Sequence, residues 1–452
     1  MKMYSISKLL FPSRTLNNFS RNIKSALYIT GEKAQRMFVA VHPNIDTDII
    51  FKEDELLHNV KKRGINIDLE KLQKRFYFFK TVEEKKIILE HTRDELNALY
   101  SDVKNPEENL DKINQLKLHK HVVNEELKSL KEFLTDLQEN VMITILNLPN
   151  NLHQSTPEID EVYHQYLERP KHQSQHHMDI GVELNLLKLV DSWGCFLMSD
   201  ASLFEIAVSN YFIEKLVESK FIPFQNADFT RSVVVEGCGT KVVGNEEVLT
   251  LHESSKKNEV LEELSRLHLT GSASIYAFMA YFTKHLVPSG QFPLRYFCYG
   301  RSYNGDVRTN DNLFNLNQES VLNVFIATFD DAWQNFQTLT QQIIKLYDAL
   351  GWHYRLVYLQ PDKLNKSESL RLSIQMYSTH SQKYIEVGYV SYFGSYICER
   401  LLFCCLNKKE QVYPKIISGN ILNIHKLLGC VLENNQPSDK KLLSELLCKY
   451  LP

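Results

Sequence analysis

Between residues 68 and 141 the apolar positions recur at spacings of three and four. Leu69, Leu72, Phe76 and Phe79 open the run, and Leu89, Leu96 and Leu99 continue it. A second run ends in Leu127, Leu130, Leu134, Leu137 and Val141. This alternation places the side chains along one stripe of a helix, the seam of a coiled coil. The pattern predicts helices over Asp68–Tyr100 and Pro106–Val141, joined through Ser101–Pro106, with the proline suited to a first helical turn. Together they make an antiparallel hairpin of about 50 Å, at ~1.5 Å per residue.

From Leu148 onward the texture changes. Amphipathic stretches at Ser202–Ser219 and Asp331–Leu350 predict helices. Runs rich in β-branched and aromatic residues predict strands at Leu294–Gly300, Ser320–Thr328, Tyr354–Tyr358, Arg371–Tyr377 and Lys383–Tyr392. Strands interleaved with helices over some 300 residues indicate an α+β domain on a mainly antiparallel sheet. The predicted organisation is therefore a leader over 1–35, an N-terminal domain with a helical hairpin arm over 36–147, and a core domain over 148–452.

Composition narrows the picture only in part. The chain has 452 residues, 43% hydrophobic and 24% charged, with a formal net charge of -3. These are values of an ordinary globular protein, with no global charge favouring nucleic acid. The arm follows suit: its lysines are offset by at least as many acids, so solvated helix faces are favoured over an RNA-binding stripe, with a plain interaction arm also open. The eight cysteines are scattered without a C-x-x-C pair, which reads as buried thiols in a reducing compartment. His164, His172, His176 and His177 lie close in sequence but among linker-like residues, a weak metal signal. Cys404 and Cys405, and the run Tyr384, Tyr389, Tyr392 and Tyr396, read as core packing. Arg355 and Arg371 read as strand residues making structural pairs.

The N-terminus stands apart. Met1–Gly31 contains no acid but has Lys2, Lys8, Arg14, Arg21 and Lys24, with recurring serines and interspersed apolar residues. That composition fits a mitochondrial transit peptide, and hence the matrix, better than a secretory signal; a basic tail is the alternative.

Eight segments share an order that resembles one known family. They are Phe38–Pro43, Lys62-Arg-Gly64, Leu148-Pro-Asn150, His177–Gly181, Gly237-Cys-Gly239, Leu269-Thr-Gly271, Pro293-Leu-Arg-Tyr296 and Leu432–Gln436. Each is weak alone, but the collinear set resembles the class II seryl-tRNA synthetases, closest to a catalytically degenerate mitochondrial branch found in insects. The resemblance implies a class II synthetase-like antiparallel sheet domain preceded by the helical arm.

The family's chemistry places cationic forks on ATP phosphates and carboxylates on magnesium and on the amino-acid ammonium. At the corresponding positions this chain departs from the pattern. A Thr-x-Glu element becomes Ser272-Ala-Ser274, and the family's Phe-Arg-Ser-Glu falls, ungapped, on Tyr303-Asn-Gly-Asp306. Asn304 then replaces the phosphate-binding arginine and Asp306 the acid; a three-residue gap would instead bring Arg301 to the arginine position. A strand glutamate becomes Asn323, Glu386 is kept, and the arginine of the third motif becomes Lys426, which lacks the planar fork. The helix of the first motif survives as Leu203–Lys220, and its terminal proline, at the family's dimer interface, becomes Ala227.

The resemblance thus implies a non-catalytic synthetase paralogue without cofactor. Its expected role is as a regulatory or structural partner, of itself as a dimer or of the true mitochondrial seryl-tRNA synthetase, supporting translation and respiration. Contact with tRNA or other mitochondrial RNA is open. The alternative is a divergent active enzyme using ATP and magnesium, with Arg301, Glu386 and Lys426 holding the nucleotide.

Overall fold

The computed structural model describes residues 25–29, 41–45, 47, 55–101, 110–242, 248–251, 266–305, 312–434 and 442–452. Two compact units emerge, one made of residues 78–146 and the other of 26–77 with 147–452. A short helix, α1 (Glu55–Lys62), precedes two long ones, α2 (Leu69–Ser101) and α3 (Leu110–Leu146). The 3–4 stripe therefore folds as its spacing requires. Along the arm Phe78 meets Phe133 edge-on, Glu90 pairs with Lys131 at 3.2 Å, and Lys120 lies over the Tyr100 ring. Numbers rise on one helix as they fall on the other, so α2 and α3 are antiparallel. Leu127, Leu134, Leu137 and Val141 are buried on the seam, whereas Leu99 is 55% exposed. The tip at Ser101–Pro106 lies outside the described residues beyond Ser101.

The larger unit is built on an eight-stranded sheet. In chain order its strands are β1 (Glu161–Tyr166), β2 (Ile222–Pro223), β3 (Leu294–Tyr303), β4 (Gln318–Thr328), β5 (Tyr354–Tyr358), β6 (Leu370–Ser378), β7 (Lys383–Gly394) and β8 (Lys415–Asn423). Across the sheet they run β1-β5-β6-β7-β8-β4-β3-β2. Every pairing is antiparallel except the short parallel contact of β2 with β3. Further helices are α4 (His177–Glu183), α5 (Ser199–Glu218), α6 (Ile275–Phe282), α7 (Ala332–Leu350) and α8 (Ile424–Asn434).

Successive strand residues point to opposite faces, and β6 shows the result. Leu370, Leu372, Ile374 and Met376 join one hydrophobic core with Phe204 and Phe212 of α5, Phe336 and Ile343 of α7, and Leu427 and Val431 of α8. Between them, Arg371, Ser373 and Gln375 face the other side. One face of the sheet is thus apolar and covered by helices, and the other carries the polar residues.

Of the leader expected over 1–35, residues 25–29 are described. Most of it lies outside the described residues, but Ala26, Leu27, Tyr28 and Ile29 are buried in the larger unit. Ala26 and Leu27 donate backbone N–H bonds to Glu236 Oε2, at 2.6 and 3.2 Å. This apolar stretch follows Lys24, the last basic residue of the acid-free region.

Candidate functional site

The polar face is floored by residues that hold one another. Arg371 on β6 bonds Glu386 on β7 through Nη2 and Glu368 Oε1 through Nη1, the latter at 3.2 Å, and its guanidinium lies 3.8 Å from the Tyr389 ring centroid. Ser373 donates to the other Glu386 oxygen at 2.6 Å, and Ser391 donates to Glu368 Oε1 at 2.6 Å. Burial alone would lower the Arg371 pKa, but Glu386 and then Glu368 outweigh it and raise the pKa above its ordinary value, holding the guanidinium charged. Burial pushes the Tyr389 phenol up to about 12, with Arg371 pulling the other way. Beside this group, Arg355 bonds Gln375 and lies over the Tyr384 ring. Both arginines make the structural pairs expected of them.

Next to β7, the floor passes to neutral amides. Asn323 Nδ2 donates to Asn420 Oδ1 at 2.6 Å, while Ser418 donates to Asn323 Oδ1 at 3.2 Å and to Val324 O at 2.8 Å. Asn323 and Ser418 are both buried. Gly388 and Gly419 let β7 and β8 approach: a Cβ on Gly388 would come within 2.7 Å of Ile421 O, and one on Gly419 would collide with Tyr389 O. At the floor's edge Lys426 of α8 pairs with Glu319 of β4 at 3.2 Å, both side chains largely buried.

The loop Thr270–Ser274 closes against β3. Gly271 has φ +83, and a Cβ there would strike the carbonyl of Arg301, so the position requires glycine. Ser272 donates its backbone N–H to Asp228 Oδ1 at 2.8 Å, and Ser274 caps α6, accepting from Ala277 N while donating to Gly271 O. Both serines are buried and committed to local structure.

Arg301 does not join the floor. In the β3–β4 ladder Arg301 pairs with Ser320, Tyr299 with Leu322 and Phe297 with Val324, whereas Asn323 pairs with Cys298. Cross-strand partners share a face, and Leu322, Val324 and Phe297 belong to the helix-covered core. Arg301 therefore lies on the helix side. There it bonds Ser320 Oγ and lies 4.0 Å from Glu205 of α5, which also accepts from Ser320 at 2.5 Å and from Tyr299 at 2.9 Å. His425 accepts from Ser320 N at 3.1 Å, and burial lowers its pKa against the pull of Glu205 and Glu319. Asn304 sits past the end of β3, with its backbone tied to Asn317. Asp306 lies outside the described residues.

No family model matches the chain. It is 28% identical over 445 residues to the Serine--tRNA synthetase-like protein Slimp of Drosophila melanogaster, covering 94% of this chain and 92% of that protein. It is 23% identical to the mitochondrial Serine--tRNA ligase of Mus musculus, over 68% of this chain and 62% of that one. Its fold matches the seryl-tRNA synthetase of Pyrococcus horikoshii, solved with ATP, at a TM-score of 0.77 and 17% identity, covering 90% and 98% of the two chains. The chain is similar along nearly its whole length to a seryl-tRNA synthetase-like protein. Its architecture is the class II synthetase fold with a helical arm.

Within that frame the positions singled out in the sequence divide into groups. Asn323 and Glu386 both lie on the polar face with separate partners, and Lys426 reaches its edge through Glu319. Ser272 and Ser274 form the adjoining loop, and Arg301 points away. Sequence reasoning missed Glu368, Glu319 and Glu205, the carboxylates that engage the cations. The alternation Arg371-x-Ser373-x-Gln375 against Leu370, Leu372, Ile374 and Met376 was the available signal for the polar face. Among the described residues Arg371 is held by two carboxylates and Lys426 by one, and no group of three or more His, Cys, Asp or Glu residues could hold a metal. His177 is buried instead against Glu433, at 2.7 Å.

Proposed function

We propose that this synthetase-like protein is a non-catalytic seryl-tRNA synthetase paralogue of the mitochondrial matrix, acting as a regulatory or structural partner in mitochondrial translation. The observation that carries the reading is Arg371. A phosphate-binding cation must be available to its ligand, and this one is locked between Glu368 and Glu386 and stacked on Tyr389. Displacing a buried carboxylate from an arginine leaves an uncompensated charge at a cost of about 3–5 kcal/mol. The rival reading, a divergent active enzyme, needs Arg301 at the phosphates; its place on the helix side, beside Glu205, weighs against this. The mitochondrial setting is supported by the basic, acid-free start of the chain and by similarity to a mitochondrial ligase. A dimer, with itself or with the true mitochondrial synthetase, and contact with RNA belong to the same proposal.

The test is serine-dependent ATP–pyrophosphate exchange by the folded protein, run beside an authentic seryl-tRNA synthetase. The expected result is no exchange above background. Exchange that depends on serine and is lost in Arg301→Ala would overturn the proposal in favour of the enzyme.

A further inference from the structure

The buried start of the larger unit bears on how this chain is matured. All five basic residues of the acid-free region, from Lys2 to Lys24, precede Ser25, and none occurs in Ala26–Ile29. Those four residues are buried, with Leu27 at 1% exposure. Glu236 receives them: one carboxylate oxygen accepts two consecutive backbone N–H groups, from Ala26 and Leu27. Such charge-assisted bonds to backbone donors are roughly twice as strong as neutral ones. Glu236 is itself fixed in place, because it belongs to the short helix Ser232–Gly237, whose Val233, Val234 and Val235 are buried. Its neighbour Gly237 packs so closely on Leu401 that a Cβ there would collide with that side chain.

We propose that proteolytic removal of the leader stops at or before Ser25, and that Ala26–Ile29 stays in the mature protein as a strap seated on Glu236. This rests on the mitochondrial reading for the cleavage and on the structure alone for the strap. A cut at residue 35, where composition alone would place the boundary, would remove the strap. It would expose the apolar surface that covers Leu27 and leave the Glu236 carboxylate without two of its donors.

Two measurements separate the parts. The protein is isolated from mitochondria and its N-terminus read by mass spectrometry. A terminus after Met1 and no later than Ala26 is expected; one beyond Ile29 overturns the strap's retention, and an intact Met1 overturns cleavage itself. Independently, full-length Leu27→Asp and Glu236→Gln are melted beside the parent. A docked strap predicts a Tm lower by roughly 5 °C or more for Leu27→Asp and a smaller drop for Glu236→Gln. If Leu27→Asp fails to fold, Glu236→Gln decides: its strap should be clipped by protease faster than the parent's. Unchanged melting in both variants, or unchanged clipping, overturns the docking whatever the terminus proves to be.

Discussion

Leu372 and Arg371 are neighbours in β6 and point to opposite faces of one sheet. On the Leu372 side three helices close over a continuous apolar core that reaches from Phe204 to Val431. On the Arg371 side the contacts are ionic and amide bonds between named partners. The first face tolerates exchange of one apolar group for another of similar volume, because burial is non-directional. The second face depends on pairing, because each buried charge is held by a specific opposite charge. A chain can therefore keep its fold through the first face while the second is rewired, and fold similarity can persist at 17% identity.

The contrast can be broken most forcefully from the apolar side. Phe336 is fully buried and stacked against Trp333; Phe336→Ala should cost about 3–5 kcal/mol in chemical denaturation. On the polar side, Arg371→Met strands Glu368 and Glu386. Because Glu386 is 32% exposed, the loss belongs at the low end of the range, about 3 kcal/mol. Joint replacement by Arg371→Met, Glu368→Gln and Glu386→Gln should recover much of that loss. If the triple variant is no more stable than the single one, the face is not governed by charge pairing.

His425 sharpens the comparison through pH. Its pKa is lowered by burial, against Glu205 and Glu319 and with Arg301 and Lys426 assisting. A base with a depressed folded pKa takes up its proton more readily when unfolded, so its contribution to stability is present above about pH 6.5 and lost as pH falls below it. Denaturation midpoints from pH 7.5 to 5.5 should decline, and His425→Gln should flatten that decline. The smallest effect belongs to Arg301→Ala. Its partner Glu205 is 4.0 Å away and Arg301 is 43% exposed, so the change should stay within about 1 kcal/mol.

The same division explains what could be read without a structure. Periodicity located the arm helices, predicted over 68–100 and 106–141 and found at Leu69–Ser101 and Leu110–Leu146. Strand β5 was placed at Tyr354–Tyr358 as found, and β6 and β7 fell within two residues of their ends. Burial of one face repeats every two or every three to four residues, and a single sequence carries that repeat. Strand β8 was missed because Lys415–Asn423 is flanked by a proline and contains a glycine, with no strict alternation. The site was legible as a set of positions but not as a set of partners. Arg371 lies 15 residues from Glu386, and Glu205 lies 96 from Arg301, and nothing in the spacing says that these groups meet. The ambiguity between Arg301 and Asn304 was of the same origin, because only the ladder with β4 shows which face Arg301 occupies.

Under the proposed non-catalytic reading, the interlocked floor would make synthetase chemistry difficult to regain one residue at a time. A glutamate placed at position 323 would enter a buried site whose neighbours are Asn420 Oδ1 and the Ser418 hydroxyl. An acid returned to position 274 would displace the hydroxyl that caps α6. Each step lowers stability before any ligand could repay it, while Arg371 goes on occupying the carboxylates of β7 and its approach. On that reading reversion would be a valley to be crossed in several simultaneous changes, and the arrangement around Arg371 would work as a ratchet.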